Sequence, residues 1–176
     1  MERLSKNDMA IDFKMKDYLD NEIILSSYKG EKVFLTFYRG ATCPFCNMKI
    51  QEIIRKYSEF EKKGIKVIAF FTSSKEEMLK YVGKQKPPFV MIPDPKLKMY
   101  KKYKIETLSW GPLKTLKHPK KLFKAMFGGF FNPKAMLDEP TIPADFLIDE
   151  NQKIYKTFYG KDFADHIDIN EVLEWR

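Results

Sequence analysis

The chain has 176 residues, of which 44% are hydrophobic and 15% aromatic, so it carries enough apolar material for one domain with its own core. The N-terminal residues mix charges throughout and lack the apolar run of a signal peptide, and no apolar stretch approaches the roughly 20 residues of a membrane span, so we expect a cytoplasmic protein. The net charge of +8 arises from ten lysines between residues 96 and 124, where Glu106 is the single acid; this run lacks arginine and any nucleic-acid-reading motif, which argues against a nucleic-acid partner.

The first part of the chain shows strand patterns followed by a helix pattern. Residues 13–26 alternate apolar and polar side chains around a turn, which predicts an N-terminal β-hairpin. Residues 32–38 form a near-continuous run of β-forming residues, which is typical of a strand covered on both faces. The apolar period changes to three or four after the two cysteines, which predicts a helix of about five turns that ends at Gly64.

Two further strand–helix units follow this helix. Residues 65–73 predict a second buried strand, and Ser74 with Glu77 forms a capping box that opens a short helix. A third strand, 89–94, precedes Pro95, which predicts the first position of another helix.

The C-terminal part predicts a hairpin and a last helix. Residues 144–159 contain two apolar runs around a turn, and Asp168 is the predicted N-cap of the final helix. The whole order of elements predicts an α/β fold with a central mixed β-sheet flanked by helices.

The only two cysteines lie in the stretch YRGATCPFC, between a predicted buried strand and a predicted helix. A helix N-terminus stabilises a thiolate, and Arg39 adds a positive charge nearby. Pro44 fixes the first helical turn, and Cys46 lies close enough on that turn to form a disulfide with Cys43. This arrangement favours a reversible dithiol centre in which Cys43 attacks and Cys46 resolves the intermediate.

Two other interpretations of the cysteine pair are weaker. A zinc site normally needs four ligands, and the chain has no third cysteine and no histidine at ligand-type spacing from the pair. The interpretation as two inert buried thiols does not explain why the pair lies between a predicted strand and a predicted helix. We therefore predict no metal and no cofactor other than the reversible Cys43–Cys46 disulfide.

FYRGATCPFC, together with TIPADFLID about a hundred residues later, resembles the thioredoxin superfamily. More narrowly, the chain is similar to the peroxiredoxin-like branch of the alkyl hydroperoxide reductase/thiol-specific antioxidant family. The resemblance covers most of residues 1–176 and implies one thioredoxin-like domain. It implies a thiol-disulfide oxidoreductase or antioxidant protein, acting on a disulfide-containing protein or a peroxide. A thiol reductant such as a thioredoxin-type system would regenerate it.

The resemblance also implies a substrate groove. In that superfamily a cis-proline precedes the strand that faces the active site, and Pro143 occupies its place. A cis-proline loop would set backbone groups of Ile142 beside Cys43, ready to pair with a bound substrate strand. The residues predicted to bind or orient substrate are Thr42, Pro44, Ile142, Pro143 and Arg39.

The sequence departs from the peroxiredoxin pattern at the active site. Peroxiredoxins carry a P-x-x-x-T-x-x-C loop, and alignment on that loop puts Cys46 at the peroxidatic position, Cys43 at the threonine and Arg39 at the proline. The usual strand arginine is absent. A thiol peroxidase with Cys46 as the peroxidatic cysteine therefore remains the alternative to attack by Cys43.

Residues 106–140 are the irregular part of the chain, and we expect a helical insertion close to the active-site end of the fold. The insertion combines an apolar face with a basic face, which the lysines of the segment Lys114–Lys124 form. This composition favours a lid and is also compatible with contact to a membrane surface. A second alternative function is thus a non-enzymatic module that docks to a membrane or partner on a thioredoxin scaffold.

Overall fold

The computed structural model describes residues 2–107, 132, 134–135 and 138–175. In chain order these residues form β1 (Lys14–Lys16), β2 (Glu22–Ile24), β3 (Lys32–Phe37), α1 (Pro44–Lys62), β4 (Ile65–Phe71), α2 (Lys75–Lys80), β5 (Val90–Pro93), α3 (Lys98–Lys102), β6 (Ala144–Ile148), β7 (Ile154–Tyr159) and α4 (Ile169–Leu173). Short 3-10 helices span Leu25–Tyr28 and Val82–Gln85.

A five-stranded sheet lies at the centre, with the strand order β5-β4-β3-β6-β7. β3, β4 and β5 run parallel, whereas β6 pairs antiparallel with both β3 and β7. β1 and β2 form a separate antiparallel hairpin. The predicted mixed sheet and N-terminal hairpin are therefore confirmed.

The two faces of the sheet are covered by different elements. Side chains alternate along β3, so Phe34 and Tyr38 belong to a buried cluster with α1 and α4. Leu35 and Phe37 point the other way, into a second cluster with α3 and the hairpin. Both cysteines lie in the first cluster, which places the predicted active site on the α1 face of the sheet.

The start and end of α1 follow from the local sequence. Pro44 occupies the first turn, where its missing N–H leaves no hydrogen bond unmade. Ile50, Ile53 and Phe60 are fully buried, as the apolar period predicts. Gly64 adopts a φ of +65°, a left-handed conformation that suits glycine and turns the chain into β4.

The helix predicted to start at Pro95 begins three residues later, at Lys98. The Asp94 carboxylate accepts hydrogen bonds from the backbone N–H groups of Lys98 (2.9 Å) and Met99 (2.7 Å). Leu97, with a φ of 55°, reverses the chain before the helix. The predicted start is wrong because the aspartate side chain, not the proline, sets the first turn.

Most of the predicted insertion, including the Lys114–Lys124 segment and the membrane contact expected from it, lies outside the described residues. At its described ends, Thr107 and Thr141 form an isolated antiparallel bridge, so the two ends of the segment meet beside β6. In the part of the chain that the structure describes, no helix is long and apolar enough to cross a membrane.

Candidate active site

The two cysteines lie on the first turn of α1. Cys43 is the N-cap residue in an extended conformation, and its Sγ accepts a hydrogen bond from the Cys46 backbone N–H at 3.5 Å. Both are free thiols, and the relative exposure of Cys43 is 0% and that of Cys46 is 1%. The predicted order of strand, cysteine pair and helix is confirmed, and both sulfurs are enclosed.

The electrostatic environment makes the two thiols unequal. Burial acts to raise the pKa of Cys43, but the hydrogen bond from the Cys46 thiol and the positive charge of Arg39 outweigh it, so the pKa lies below its ordinary value. Burial also raises the pKa of Cys46, and the hydrogen bond to Cys43 and the charge of Cys43 raise it well above its ordinary value. Of the two thiols, Cys43 is therefore the one that ionises first.

Arg39 lies at the site with its guanidinium almost fully enclosed. It donates to three backbone carbonyls, those of Ala135 (3.2 Å), Asp138 (3.4 Å) and Glu139 (3.3 Å). Its Cζ atom lies 3.8 Å from the ring centroid of Phe163. Arg39 thus brings positive charge close to both thiols and ties the segment around Asp138 to the loop that follows β3.

Asp138 is a site residue that the sequence patterns did not identify. Its Oδ2 accepts a hydrogen bond from the Thr42 hydroxyl at 2.8 Å. Burial raises the pKa of Asp138, and the Thr42 hydrogen bond and the Arg39 charge counteract this only in part. Thr42, a predicted orienting residue, is therefore held by a carboxylate, which brings an acid close to the cysteines.

The loop before Cys43 is fixed by side chains from neighbouring elements. Asn47 of α1 donates from Nδ2 to the carbonyls of Ala41 (2.8 Å) and Cys43 (2.9 Å). Ser73, which follows β4, accepts the Ala41 N–H at 2.8 Å, and Gln85 donates to Asn47 Oδ1 at 2.8 Å. These bonds satisfy the buried backbone groups of the loop and hold Cys43 at the helix start.

The prediction of a cis bond before Pro143 is wrong, because the described residues contain no cis peptide bond and Ile142–Pro143 is trans. In this form the Ile142 N–H donates to the Glu106 carbonyl at 2.9 Å, and the Pro143 carbonyl accepts from the Gly160 N–H at 2.9 Å. These bonds extend the sheet beyond β6 and β7. The Ile142 N–H is thereby already paired, so it is not free to pair with a substrate strand.

A cavity of about 300 Å³ lies next to Thr42. Its lining is mainly polar and consists of Thr42, Thr72, Ser73, Glu77, Lys134, Asp138 and Glu139. Because Thr42 directly precedes Cys43, this cavity lies beside the loop that carries Cys43. Among the described residues, no group of three or more His, Cys, Asp or Glu side chains is placed to hold a metal ion.

Residues 7–157 match the model of the AhpC/TSA family. The chain belongs to this family. Peroxiredoxin Bcp of Escherichia coli (strain K12) is 22% identical over 175 residues, which cover 99% of this chain and 97% of that protein. Chloroplastic peroxiredoxin Q of Sedum lineare is 26% identical over 111 residues, which cover 63% of this chain and 60% of that protein. The structure of a mutant of PrxQ from Xylella fastidiosa is similar with a TM-score of 0.73 at 14% identity, covering 98% of this chain and 95% of that chain.

Membership in the AhpC/TSA family confirms the resemblance based on FYRGATCPFC and TIPADFLID. The similarity to the PrxQ structure confirms the thioredoxin-like fold. Membership in the family confirms the enzyme class, an oxidoreductase that acts through thiols. The roles of the individual cysteines remain predictions.

Proposed function

We propose that this protein reduces peroxides with Cys43 as the first nucleophile and Cys46 as the resolving thiol. The proposal rests on the position of Cys43 as the N-cap of α1, where its Sγ accepts the Cys46 N–H. This hydrogen bond, together with that of the Cys46 thiol and the charge of Arg39, lowers the pKa of Cys43, whereas the pKa of Cys46 is raised, so Cys43 ionises first. The thiolate is the reactive form of cysteine, so the thiol with the lowered pKa attacks first. Peroxide is the substrate class indicated by the names of the relatives, peroxiredoxins Bcp and Q.

In the first step the Cys43 thiolate attacks one peroxide oxygen, and the O–O bond breaks. Cys43 becomes a sulfenic acid, and the other oxygen leaves as an alcohol or water after taking a proton from solvent. The Arg39 guanidinium, close enough to lower the pKa of Cys43, stabilises the negative charge that moves from sulfur to the leaving oxygen.

In the second step Cys46 attacks the sulfur of the Cys43 sulfenic acid. A disulfide forms between Cys43 and Cys46, and the sulfenic oxygen leaves as water with the proton of the Cys46 thiol. The hydrogen bond from Cys46 N–H to Cys43 Sγ already holds the two residues together on one helical turn. Two thiols of an external reductant, for which we propose a thioredoxin-type protein, then reduce the disulfide.

Substrate reaches Cys43 from the cavity beside Thr42. Asp138 and Glu139 line this cavity, and both belong to the segment whose carbonyls bind Arg39. Because the Cys43 sulfur is fully enclosed in the reduced protein, a small peroxide reaches it in this form more readily than a folded protein with an exposed disulfide. This supports a small hydroperoxide as the substrate.

The alignment of the AhpC/TSA active-site loop favours a second candidate, in which Cys46 is the peroxidatic cysteine. Stopped-flow reaction of the reduced protein with hydrogen peroxide separates the two, with Cys43→Ser and Cys46→Ser as matched variants. We expect Cys46→Ser to form a sulfenic acid at the wild-type rate and Cys43→Ser to react only slowly. Rapid sulfenic acid formation in Cys43→Ser would assign the first attack to Cys46, and slow reaction of both variants and of the wild type would exclude peroxide as a substrate.

A further inference from the structure

The cavity beside Thr42 has an acidic lining. Its charged side chains are the carboxylates of Glu77, Asp138 and Glu139 and the ammonium group of Lys134. Glu77 and Glu139 outnumber Lys134, so the described lining carries a net negative charge even without the charge of Asp138. A molecule that enters this cavity meets more negative than positive groups.

The loop that carries Cys43 forms one wall of the cavity. Thr42 directly precedes Cys43, and its hydroxyl donates to Asp138 Oδ2 at 2.8 Å. Ser73 also lines the cavity and accepts the N–H of Ala41 from the same loop at 2.8 Å. The charged lining thus lies against the active-site loop, where its electrostatic field acts on an approaching reagent.

The three carboxylates are not neutralised by cations in the described part of the chain. Glu77 accepts the Ser74 N–H at 3.3 Å in the capping box of α2, and Asp138 accepts the Thr42 hydroxyl. Neither these two side chains nor Glu139 forms an ion pair with a described lysine or arginine. Their negative charge therefore acts on any molecule in the cavity.

Arg39 does not place a cation in the cavity wall. It is absent from the described lining, and its guanidinium donates to the backbone carbonyls of Ala135, Asp138 and Glu139. Its Cζ atom also lies 3.8 Å from the ring centroid of Phe163. The guanidinium is thus occupied by the protein itself and leaves the acidic character of the lining unchanged.

We propose that the acidic lining makes the protein select neutral peroxides over anionic ones, with Glu77 and Glu139 as specificity-determining residues. This inference rests on the proposed function, the reduction of peroxides by Cys43. Hydrogen peroxide and uncharged alkyl hydroperoxides donate O–H protons, which the carboxylate and hydroxyl oxygens of the lining accept. A hydroperoxide that carries a carboxylate, or the peroxymonosulfate anion, is repelled by the same carboxylates.

The size of the selectivity follows from Coulomb's law. One uncompensated unit charge at about 10 Å changes the rate of reaction with an anion by about twofold when the dielectric constant is close to that of water. Two net charges therefore give about a fourfold preference for the neutral reagent. Salt should remove this preference, because the Debye length falls to about 3 Å at 1 M ionic strength.

Alkylation by iodoacetamide and iodoacetate tests the inference, because the two reagents have nearly the same size and differ in charge. With either reagent the Cys43 thiolate attacks the methylene carbon, a C–S bond forms and iodide leaves. The ratio of the two rates at one pH does not depend on the thiolate fraction, which is common to both. Relative to the uncharged thiol 2-mercaptoethanol, we expect Cys43 to favour iodoacetamide about fourfold more strongly at low ionic strength, and equally in about 1 M salt.

Three variants of the lining locate the source of the preference. Glu77→Gln and Glu139→Gln should each reduce the preference for iodoacetamide about twofold, and Lys134→Gln should increase it about twofold. Glutamine can replace glutamate in the capping box with Ser74, so Glu77→Gln keeps the start of α2. Glu59→Gln at the exposed far end of α1 changes the net charge equally and is the matched control, which should retain the wild-type preference.

Stopped-flow reaction with hydrogen peroxide and with peroxymonosulfate extends the comparison to peroxides. Glu77→Gln and Glu139→Gln should each raise the rate with peroxymonosulfate about twofold relative to the rate with hydrogen peroxide. The inference alone is overturned if the protein reduces hydrogen peroxide but Cys43 shows the same preference as 2-mercaptoethanol, or if the lining variants shift the preference no more than Glu59→Gln. Absence of any reaction with hydrogen peroxide would instead refute the proposed function, and the peroxide selectivity with it, whatever the alkylation ratio.

Discussion

Asp138 lies directly over Gly40. A Cβ atom at position 40 would come within 2.0 Å of Asp138 Oδ1, so the backbone of the loop before Cys43 approaches the carboxylate too closely for any side chain. The same carboxylate accepts the Thr42 hydrogen bond. Gly40 thus allows the segment around Asp138 to close over the active-site loop.

Gly40→Ala is expected to push the Asp138 side chain away and to break its hydrogen bond with Thr42. The free energy of unfolding should fall by about 1 kcal/mol, because the Asp138 carboxylate can rotate away but loses its hydrogen bond with Thr42. Urea denaturation measures this, and Asp138→Ala provides the matched background because it removes the clashing atoms. The cost of Gly40→Ala should largely disappear in that background; a cost that is the same in both would show that Asp138 is not the obstacle.

Arg39→Met is expected to slow alkylation of Cys43 at neutral pH. Removing the positive charge raises the pKa of Cys43, so the thiolate fraction at a pH below that pKa falls, by about tenfold if the pKa rises by one pH unit. The difference should vanish at alkaline pH, where Cys43 is ionised in both proteins. Alkylation by iodoacetamide, followed across pH by peptide mass spectrometry, gives the profile.

Two further arginine variants separate charge from position. Arg39→Lys keeps the charge but loses the planar group that binds three carbonyls, so most of the lowering of the Cys43 pKa should remain. Arg55→Met removes an exposed charge that hydrogen-bonds Gln51 on the outer side of α1 and should behave as wild type. A similar effect of Arg55→Met would mean that the pKa of Cys43 depends on the net charge of the protein and not on the proximity of Arg39.

Asp138→Asn is expected to act in the opposite direction to Arg39→Met. The charge of Asp138 raises the pKa of Cys43, so its removal should lower that pKa and speed alkylation at neutral pH. Burial raises the pKa of Asp138 itself, so at a pH above that pKa the charged Asp138 carboxylate lowers the free energy of unfolding. The variant should therefore be at least as stable as wild type at neutral pH.

The stability difference should then shrink as the pH falls through the raised pKa of Asp138, because the wild type becomes protonated as well. Urea denaturation at several pH values checks the sign, with Glu59→Gln at the exposed far end of α1 as the control. A stability gain that grows toward acid pH would contradict a raised pKa of Asp138.

The sequence predicted those parts of the fold that depend on neighbouring residues. The apolar run before Arg39 predicted the strand, and the apolar period after the cysteine pair predicted the helix. The position of the pair between them predicted the site. These predictions succeeded because burial pattern and capping are local signals. The Ser74–Glu77 capping box is present at the start of α2 for the same reason. The family resemblance added the thioredoxin-like arrangement of the strands.

Contacts between distant segments could not be predicted in this way. Thr42 and Asp138 are 96 residues apart, and Asp138 lies in an irregular segment where no period indicates which side chain is buried. The isomer before Pro143 depends on the pairing of Ile142 with Glu106 and of Pro143 with Gly160, which involves two other segments. Such features follow from tertiary packing and need the structure.

Asn47→Ala tests whether the loop before Cys43 is held from α1. The Asn47 amide donates to the carbonyls of Ala41 and Cys43 and accepts from Gln85, so the variant leaves buried groups without partners. The free energy of unfolding should fall by about 1–3 kcal/mol. Asn170→Ala, which removes an exposed side chain bonded to Lys56, is the control and should change it by less than about 0.5 kcal/mol.

The same substitution should also affect chemistry, because Cys43 is the N-cap whose carbonyl Asn47 holds. A looser first turn weakens the hydrogen bond from the Cys46 N–H to Cys43 Sγ and thus raises the pKa of Cys43. Alkylation of Cys43 should slow at neutral pH in Asn47→Ala and stay unchanged in Asn170→Ala. Destabilisation with unchanged alkylation would mean that Asn47 supports the fold alone, and that Arg39 and the Cys46 thiol suffice to keep the pKa of Cys43 lowered.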